Sequence, residues 1–395
     1  MKKGRLQATF MSLVLSAGVL AACSGGAEQT STTEKKSDGG YTIKIGANLE
    51  LSGNVASYGT GILNGLELAI EEINKEGIDG KKIELIKHDN KSEAAEATSG
   101  ALKLINQDGV SAIVGAATTT NTLAQVQLAQ DNKVPVITPS GTNPDITFKD
   151  GKLNDFLFRT CFIDPFQGEI AANFAADNLG VKSAAILIDN NSDYAKGLAA
   201  AFKKAFEAKG GKVIVQEAYA AKDTEFRTQL TSIKGKSPEF VYIPGYYEEA
   251  GLIIKQAKEL GLDVPFMGGD GWDSPTLVDI AGADALNNAY ITNHYSSGDT
   301  DEKIQSFVNA FEAKHGKKPD AFNALGYDTG YLLADAIKRA GSGDSEAIQK
   351  ALAETTDLSL VTGNFTYDEK HNPVKTATIL TYENGEQVFE TKVNP

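Results

Sequence analysis

Twice along this chain, short Val- and Ile-rich runs alternate with segments of helical periodicity, and that alternation admits few folds. The first array begins with TIKIGANLEL, which reads as a strand. In the following GILNGLELAIEEINKEG, apolar residues at Ile62, Leu63, Leu66, Ala69, Ile70 and Ile73 keep the helical spacing up to a stop at Gly77. KKIELIKHD, VSAIVGA and VPVITPS read as further strands, separated by the helix-like AAEATSGALKLINQDG and NTLAQVQLAQDNK. After FLFRTCFIDP the pattern restarts through SAAILIDN, YAKGLAAAFKKAFEAKG, KVIVQEAY, FRTQLTSIKG, FVYIPGY, EEAGLIIKQAKELG and PFMGGDG. Near-continuous apolar runs between amphipathic helices predict parallel sheets covered on both faces. The expected fold class is therefore α/β with two such arrays, and Tyr41 to Pro395 is long enough for two domains of ordinary size.

The N-terminus has the order of an export signal: Lys2, Lys3 and Arg5, then the apolar FMSLVLSAGVLAA, then small residues. This apolar stretch is shorter than the roughly 20 residues of a membrane span. Leu20-Ala21-Ala22-Cys23 resembles the lipobox of bacterial lipoproteins, which implies lipidation of Cys23; an ordinary signal peptide ending near a cysteine is the alternative. Residues 23–40, SGGAEQTSTTEKKSDGG after the cysteine, are too polar to bury a core and read as a flexible tether. The expectation is a soluble protein outside the cytoplasmic membrane, held by a lipid anchor.

The chain carries a formal charge of -14, which becomes -17 without Lys2, Lys3 and Arg5. Such acidity argues against nucleic acid as a partner, because phosphate binding wants a basic face. Cys161 has no second cysteine in the folded part and reads as a small buried hydrophobe. His88, His294, His315 and His371 lie far apart without metal-ligand spacing and read as surface or satisfied residues. No metal and no cofactor is expected.

Ligands of open α/β sheets bind outside the carboxyl ends of the strands, and here those ends carry GAATTTNT, TPSGTNP, DNNSDYAKG, PGYYEE and GGDGWDS. Two facing sheets would line one cleft with them. Phosphate-loop and nucleophile-elbow motifs are missing from the sequence, and GTGILNG at 59–65 lacks the strand immediately before it that a dinucleotide fingerprint needs. Asp189, Asp270 and Asp273 fall at strand ends and could serve a hydrolase, but no histidine or cysteine base accompanies them. No catalytic residue is therefore assigned, and a binding protein is favoured over an enzyme.

Thr119 and Thr120 stand at the start of a helix, where free N–H groups attract an anion; N-capping is the equally simple alternative. Thr142 in PSGTNP can point the same way. Across the cleft, Asp270 between glycines could accept from an ammonium group. Carboxylate site on one side and carboxylate acceptor on the other describe an α-amino acid. Tyr58, Tyr194, Tyr246, Tyr247, Trp272 and Phe322 are either pocket aromatics or core.

LSGNVASYGTGILNGLELAIEEIN, IVGAATTTNT, VPVITPSGTNP, FVYIPGYYEEAGLIIKQAKELG and FMGGDGW, in this order, resemble the leucine/isoleucine/valine-binding family, the receptors of branched-chain amino acid ABC transporters, over about residues 41–395. The resemblance implies a type I periplasmic binding protein fold: two Rossmann-like lobes joined by three hinge strands, closing like a flytrap. It implies lobes at 41–160 plus 295–359 and 161–294 plus 360–395, with crossings near 158–164, 289–295 and 358–364. It puts Thr119 and Thr142 on the ligand carboxylate, and the Ser140 carbonyl and Asp270 on its ammonium. Tyr58, Ala117, Thr118, Tyr194, Tyr246 and Phe322 would surround the side chain. Asp270 is one methylene shorter than the glutamate of well-known members. The implied partners are a branched-chain amino acid, the permease subunits and, through the anchor, the membrane, with the receptor a monomer. The same fold also takes amides, urea and other small acids, and a lipoprotein sensor could use it.

Overall fold

The structure, a computed structural model, describes residues 42–393. The expected signal segment, Cys23 and the tether lie outside the described residues. Among the described residues no helix is long and apolar enough to cross a membrane.

The first array forms a five-stranded sheet, parallel throughout, in the order Lys82–Asp89, Thr42–Leu49, Ala112–Val114, Val136–Thr138, Leu157–Arg159. Its three inner strands are buried almost completely, because helices cover both faces. The second array forms a seven-stranded sheet in the order Glu386–Val393, Ala377–Glu383, Ala289–Asn293, Phe266–Gly268, Phe240–Tyr242, Ser183–Asp189, Lys212–Tyr219. Five of these strands are parallel; the C-terminal pair is antiparallel. Asn384 and Gly385, both at positive φ, make the tight two-residue turn between that pair, the pairing that an Asn-Gly hairpin favours.

The chain passes between the sheets at three places: after Arg159, after Asn293 and before Ala377. The expected third crossing at 358–364 is instead a small hairpin, Leu358–Leu360 against Gly363–Phe365. Beyond it the chain still belongs with the first sheet, since Tyr367 Oη donates to the Arg159 carbonyl and His371 Nδ1 bonds the Leu157 carbonyl.

Helix Ala56–Glu76 buries Tyr58, Ile62, Leu66 and Ala69 and lies along helix Ala321–Ala340. Two glycines make that approach possible. A Cβ at Gly65 would meet the Asn323 carbonyl at 1.9 Å, and one at Gly326 would meet the Ile62 carbonyl at 2.1 Å. The consequence for the cleft is direct, because Tyr58 and Phe322, near the N-terminal ends of this helix pair, stack with centroids 4.3 Å apart.

The expected single helix over NTLAQVQLAQDNK is two, Thr119–Leu123 and Val126–Asn132. The break coincides with a buried polar group: Gln125 Oε1 accepts from Asn48 and its Nε2 donates to the Asn121 carbonyl.

Candidate functional site

Loops at the carboxyl ends of five strands meet in one cavity of ≈ 240 Å³ empty volume, lined by Tyr58, Ala117, Thr118, Thr119, Ser140, Tyr194, Tyr246, Asp270, Gly271 and Phe322. Nine of the ten cleft residues expected from the sequence are therefore together. Thr142 is not among them. Its hydroxyl is fully buried beside the Asp164 carboxyl, without a well-formed hydrogen bond of its own. Burial pushes the Asp164 carboxyl up to about 8, against the downward pull of Thr142.

The wall from the first sheet is organised by Glu50, a residue that the sequence did not single out. Its fully buried carboxylate accepts from Ala117 N at 2.9 Å, Thr118 N at 3.1 Å, Thr118 Oγ1 at 2.9 Å and Asn121 Nδ2 at 2.9 Å. Thr118 occupies the N-cap position of the short helix without capping it, since its hydroxyl is spent on Glu50. Thr119, buried one residue further on, has an Oγ1 with no protein partner. The neighbouring turn is fixed from behind by Arg159, whose guanidinium, buried at 0 % exposure, donates to the carbonyls of Gly141 at 2.9 Å and Asn143 at 2.8 Å. Cys161 is free and buried there, with Sγ 3.3 Å from the Gly141 carbonyl, and burial pushes its thiol up to about 12.

On the opposite wall Asp270 is held by three side chains. Tyr194 Oη donates to Oδ1 at 2.7 Å, Gln167 Nε2 to the same oxygen at 3.0 Å, and His294 Nε2 lies 3.0 Å from Oδ2. Gln167 Oε1 in turn accepts from Asp270 N and Thr292 Oγ1. Gly269 leaves space for this network, since a Cβ there would meet Gln167 Oε1 at 2.3 Å and Tyr194 Oη at 2.5 Å. The flanking glycine thus serves the supports of Asp270. His294 is buried and stacks on Phe162 with centroids 3.8 Å apart. The reading of His294 as a surface or simply satisfied residue is corrected: it touches the acid of the cleft, and its Nδ1 has no partner. Burial pushes this imidazole below its ordinary range despite the adjacent carboxylate.

Aromatic rings close the remaining sides. Tyr246 stacks on Tyr194 at 5.3 Å and meets Tyr58 edge-on at 5.6 Å. The lobes are joined across the cleft: Tyr58 Oη donates to the Gly271 carbonyl, Tyr247 Oη to the Asn54 carbonyl at 3.0 Å, and Ser57 Oγ lies 2.8 Å from Ser274 Oγ. Trp272 is core, with Nε1 bonded to the Ile243 carbonyl. Asp189 and Asp273 do not join Asp270 in the cavity. Asp273 instead links three segments by accepting from Asn293, Ala321 N and Gln387. Among the described residues no group of three His, Cys, Asp or Glu is placed to hold a metal ion.

The arrangement offers a donor on one wall, an acceptor on the other and apolar rings between. Several known proteins are similar to this chain in sequence and shape. A leucine-, isoleucine-, valine-, threonine- and alanine-binding protein of Pseudomonas aeruginosa is 35% identical over 353 residues, which span 89% of this chain and 92% of that one. The branched-chain amino acid transporter substrate-binding protein LivJ of Streptococcus pneumoniae, solved with isoleucine, is 42% identical with a TM-score of 0.84, covering 90% of this chain and 100% of its own. The leucine-binding protein LivK of Thermotoga maritima is 36% identical with a TM-score of 0.85, covering 89% and 99%. A family described as periplasmic binding protein matches residues 42–387, and the chain belongs to that family of extracytoplasmic substrate-binding receptors.

Proposed function

We propose that this receptor captures leucine, isoleucine and valine between its lobes and delivers them to the permease of an ABC transporter. The observation that supports this reading best is the opposition, within one cavity, of an unpartnered donor, Thr119 Oγ1, and an acceptor, Asp270. Thr119 takes the carboxylate; Asp270 and the Ser140 carbonyl take the ammonium. Tyr58, Ala117, Thr118, Tyr194, Tyr246 and Phe322 surround the aliphatic side chain.

The lobes divide at the three crossings: residues 42–160 with 295–373 form one, and 161–294 with 374–393 the other. A ligand that touches Thr119 on one lobe and Asp270 on the other favours the closed form, because only closure makes both contacts. The protein acts as a monomer, is tethered through lipidated Cys23 and performs no chemistry on its ligand.

Calorimetric titration with leucine, isoleucine, valine, threonine and alanine tests the reading, the last two because the Pseudomonas relative is named for them. The branched aliphatic ligands are expected to bind most tightly. Asp270→Asn is expected to weaken them by about thirtyfold or more, since removing one partner of a buried charge pair costs about 2–5 kcal/mol. Undiminished binding by Asp270→Asn, or no heat from any of the five, would remove the assignment and leave the fold.

A further inference from the structure

Asp270 lines the ligand cavity, but the residue behind it lines another. A second cavity, of ≈ 590 Å³ empty volume, lies at the crossings between the lobes, with His294, Asp299, Lys303, Thr376, Thr378 and Lys392 in its lining. His294 does not line the ligand cavity, and Asp270 does not line the second one. The imidazole therefore stands between the two, with Nε2 on Asp270 Oδ2 and an unpartnered Nδ1.

The hydrogen-bond inventory of Asp270 gives that position a consequence. A carboxylate has about four acceptor sites, and Tyr194, Gln167 and His294 occupy three. One is left for a ligand ammonium. With Nδ1 bare, His294 is a neutral Nε2–H donor that leaves the charge of Asp270 to the ligand. Protonated at Nδ1, it becomes a cation against the same oxygen and competes with the ammonium for that charge.

We propose that His294 is the positioning residue that sets how strongly Asp270 holds the ligand ammonium, and that the cavity at the crossings is its route to solvent while the cleft is closed. The proposal rests on the reading of Asp270 as the ammonium acceptor. Its sign follows from linkage. Ligand ammonium disfavours the imidazolium, and imidazolium disfavours the ligand. Affinity is therefore full above the pKa of His294 in the free protein and falls as pH drops through it. Asp270 and Asp273 raise that pKa, while burial and Lys375 lower it. Asp164 and Cys161 feel the field of Asp270, and Asp299, Asp301, Lys303 and Lys392 line the second cavity together with the histidine. All of these remain in a His294 variant, so only a difference between variant and parent reports on His294.

Isoleucine is titrated into the full chain from about pH 8 to about pH 5. The Kd of the parent is expected to rise about tenfold, within the limit of a factor of ten per pH unit set by one proton. His294→Gln, which keeps a side-chain amide donor but cannot become a cation, is expected to lose that slope whatever its absolute affinity. Equal slopes in both proteins overturn the proposal. If that variant does not fold, His294→Asn is compared with the parent over the same pH range, and equal slopes again overturn the proposal. Asp270→Asn at about pH 8 separates the two readings. Binding like the parent removes the ammonium assignment itself, whereas lost binding together with an unchanged His294→Gln slope removes only the role of His294.

Discussion

The two walls of the cleft solve opposite problems. On the first, an anion that belongs to the protein, Glu50, gathers the donors of the 117–121 loop and leaves one hydroxyl, Thr119 Oγ1, without a partner. On the second, an anion that faces the cavity, Asp270, is surrounded by donors until about one acceptor position is left. The donor wall is made specific by what it leaves unpaired, the acceptor wall by what it pairs. Both are tied into hydrogen-bond networks of the protein itself, and preorganisation of this kind reduces the ordering cost of binding.

That contrast is most severely tested at Glu50. Glu50→Ala removes the acceptor of four buried donors at once. Breaking a buried charged network costs about 3–5 kcal/mol, so the midpoint of urea unfolding should fall accordingly, and the affinity for isoleucine with it. A stable variant that has lost only affinity would mean that Glu50 orients the loop without holding the fold.

A smaller and sharper test compares adjacent threonines. Thr118 Oγ1 is bonded to Glu50, whereas Thr119 Oγ1 has no protein partner. Thr118→Val should lower stability by about 1–2 kcal/mol. Thr119→Val should leave stability within about 0.5 kcal/mol but weaken isoleucine about tenfold, the equivalent of about 1.4 kcal/mol. If the two variants behave alike in both measurements, the division of labour between the neighbours is wrong.

The sequence showed the residues that face the cavity better than the residues that support them, for a physical reason. Thr119, Ser140, Tyr194, Tyr246 and Asp270 follow strand ends, so the periodicity that located the strands also located them. Their supports do not follow from any local pattern. Gln167 reaches Asp270 across 103 residues and Glu50 reaches Thr118 across 68, and pairings of that span are fixed by topology alone. His294 was concealed by its setting in TNHYSS, whose polar residues suggest a surface. In the fold Thr292 and Asn293 turn to Gln167 and Asp273, and the segment is buried at the second crossing. The third crossing was misplaced because the Leu358–Phe365 hairpin presents the same apolar residues as a hinge strand would.

The smallest expected effect concerns the one cleft residue that the structure sets apart. Thr142 was placed with Thr119 on the ligand carboxylate, yet its hydroxyl is buried beside Asp164 and does not line the cavity. Thr142→Val removes that hydroxyl while keeping the shape. If Thr142 acts only behind the wall, isoleucine affinity should change by less than about threefold, below the roughly 1 kcal/mol of one hydrogen bond. Stability should fall slightly towards high pH, for a reason that can be signed. The folded-state pKa of Asp164 is raised to about 8, so its ionisation costs stability increasingly as pH rises from its unfolded value towards 8. Thr142 opposes that rise, and losing it extends the cost. A tenfold loss of affinity, equal to that expected of Thr119→Val, would instead bring Thr142 back to the ligand and make the donor wall a pair of hydroxyls.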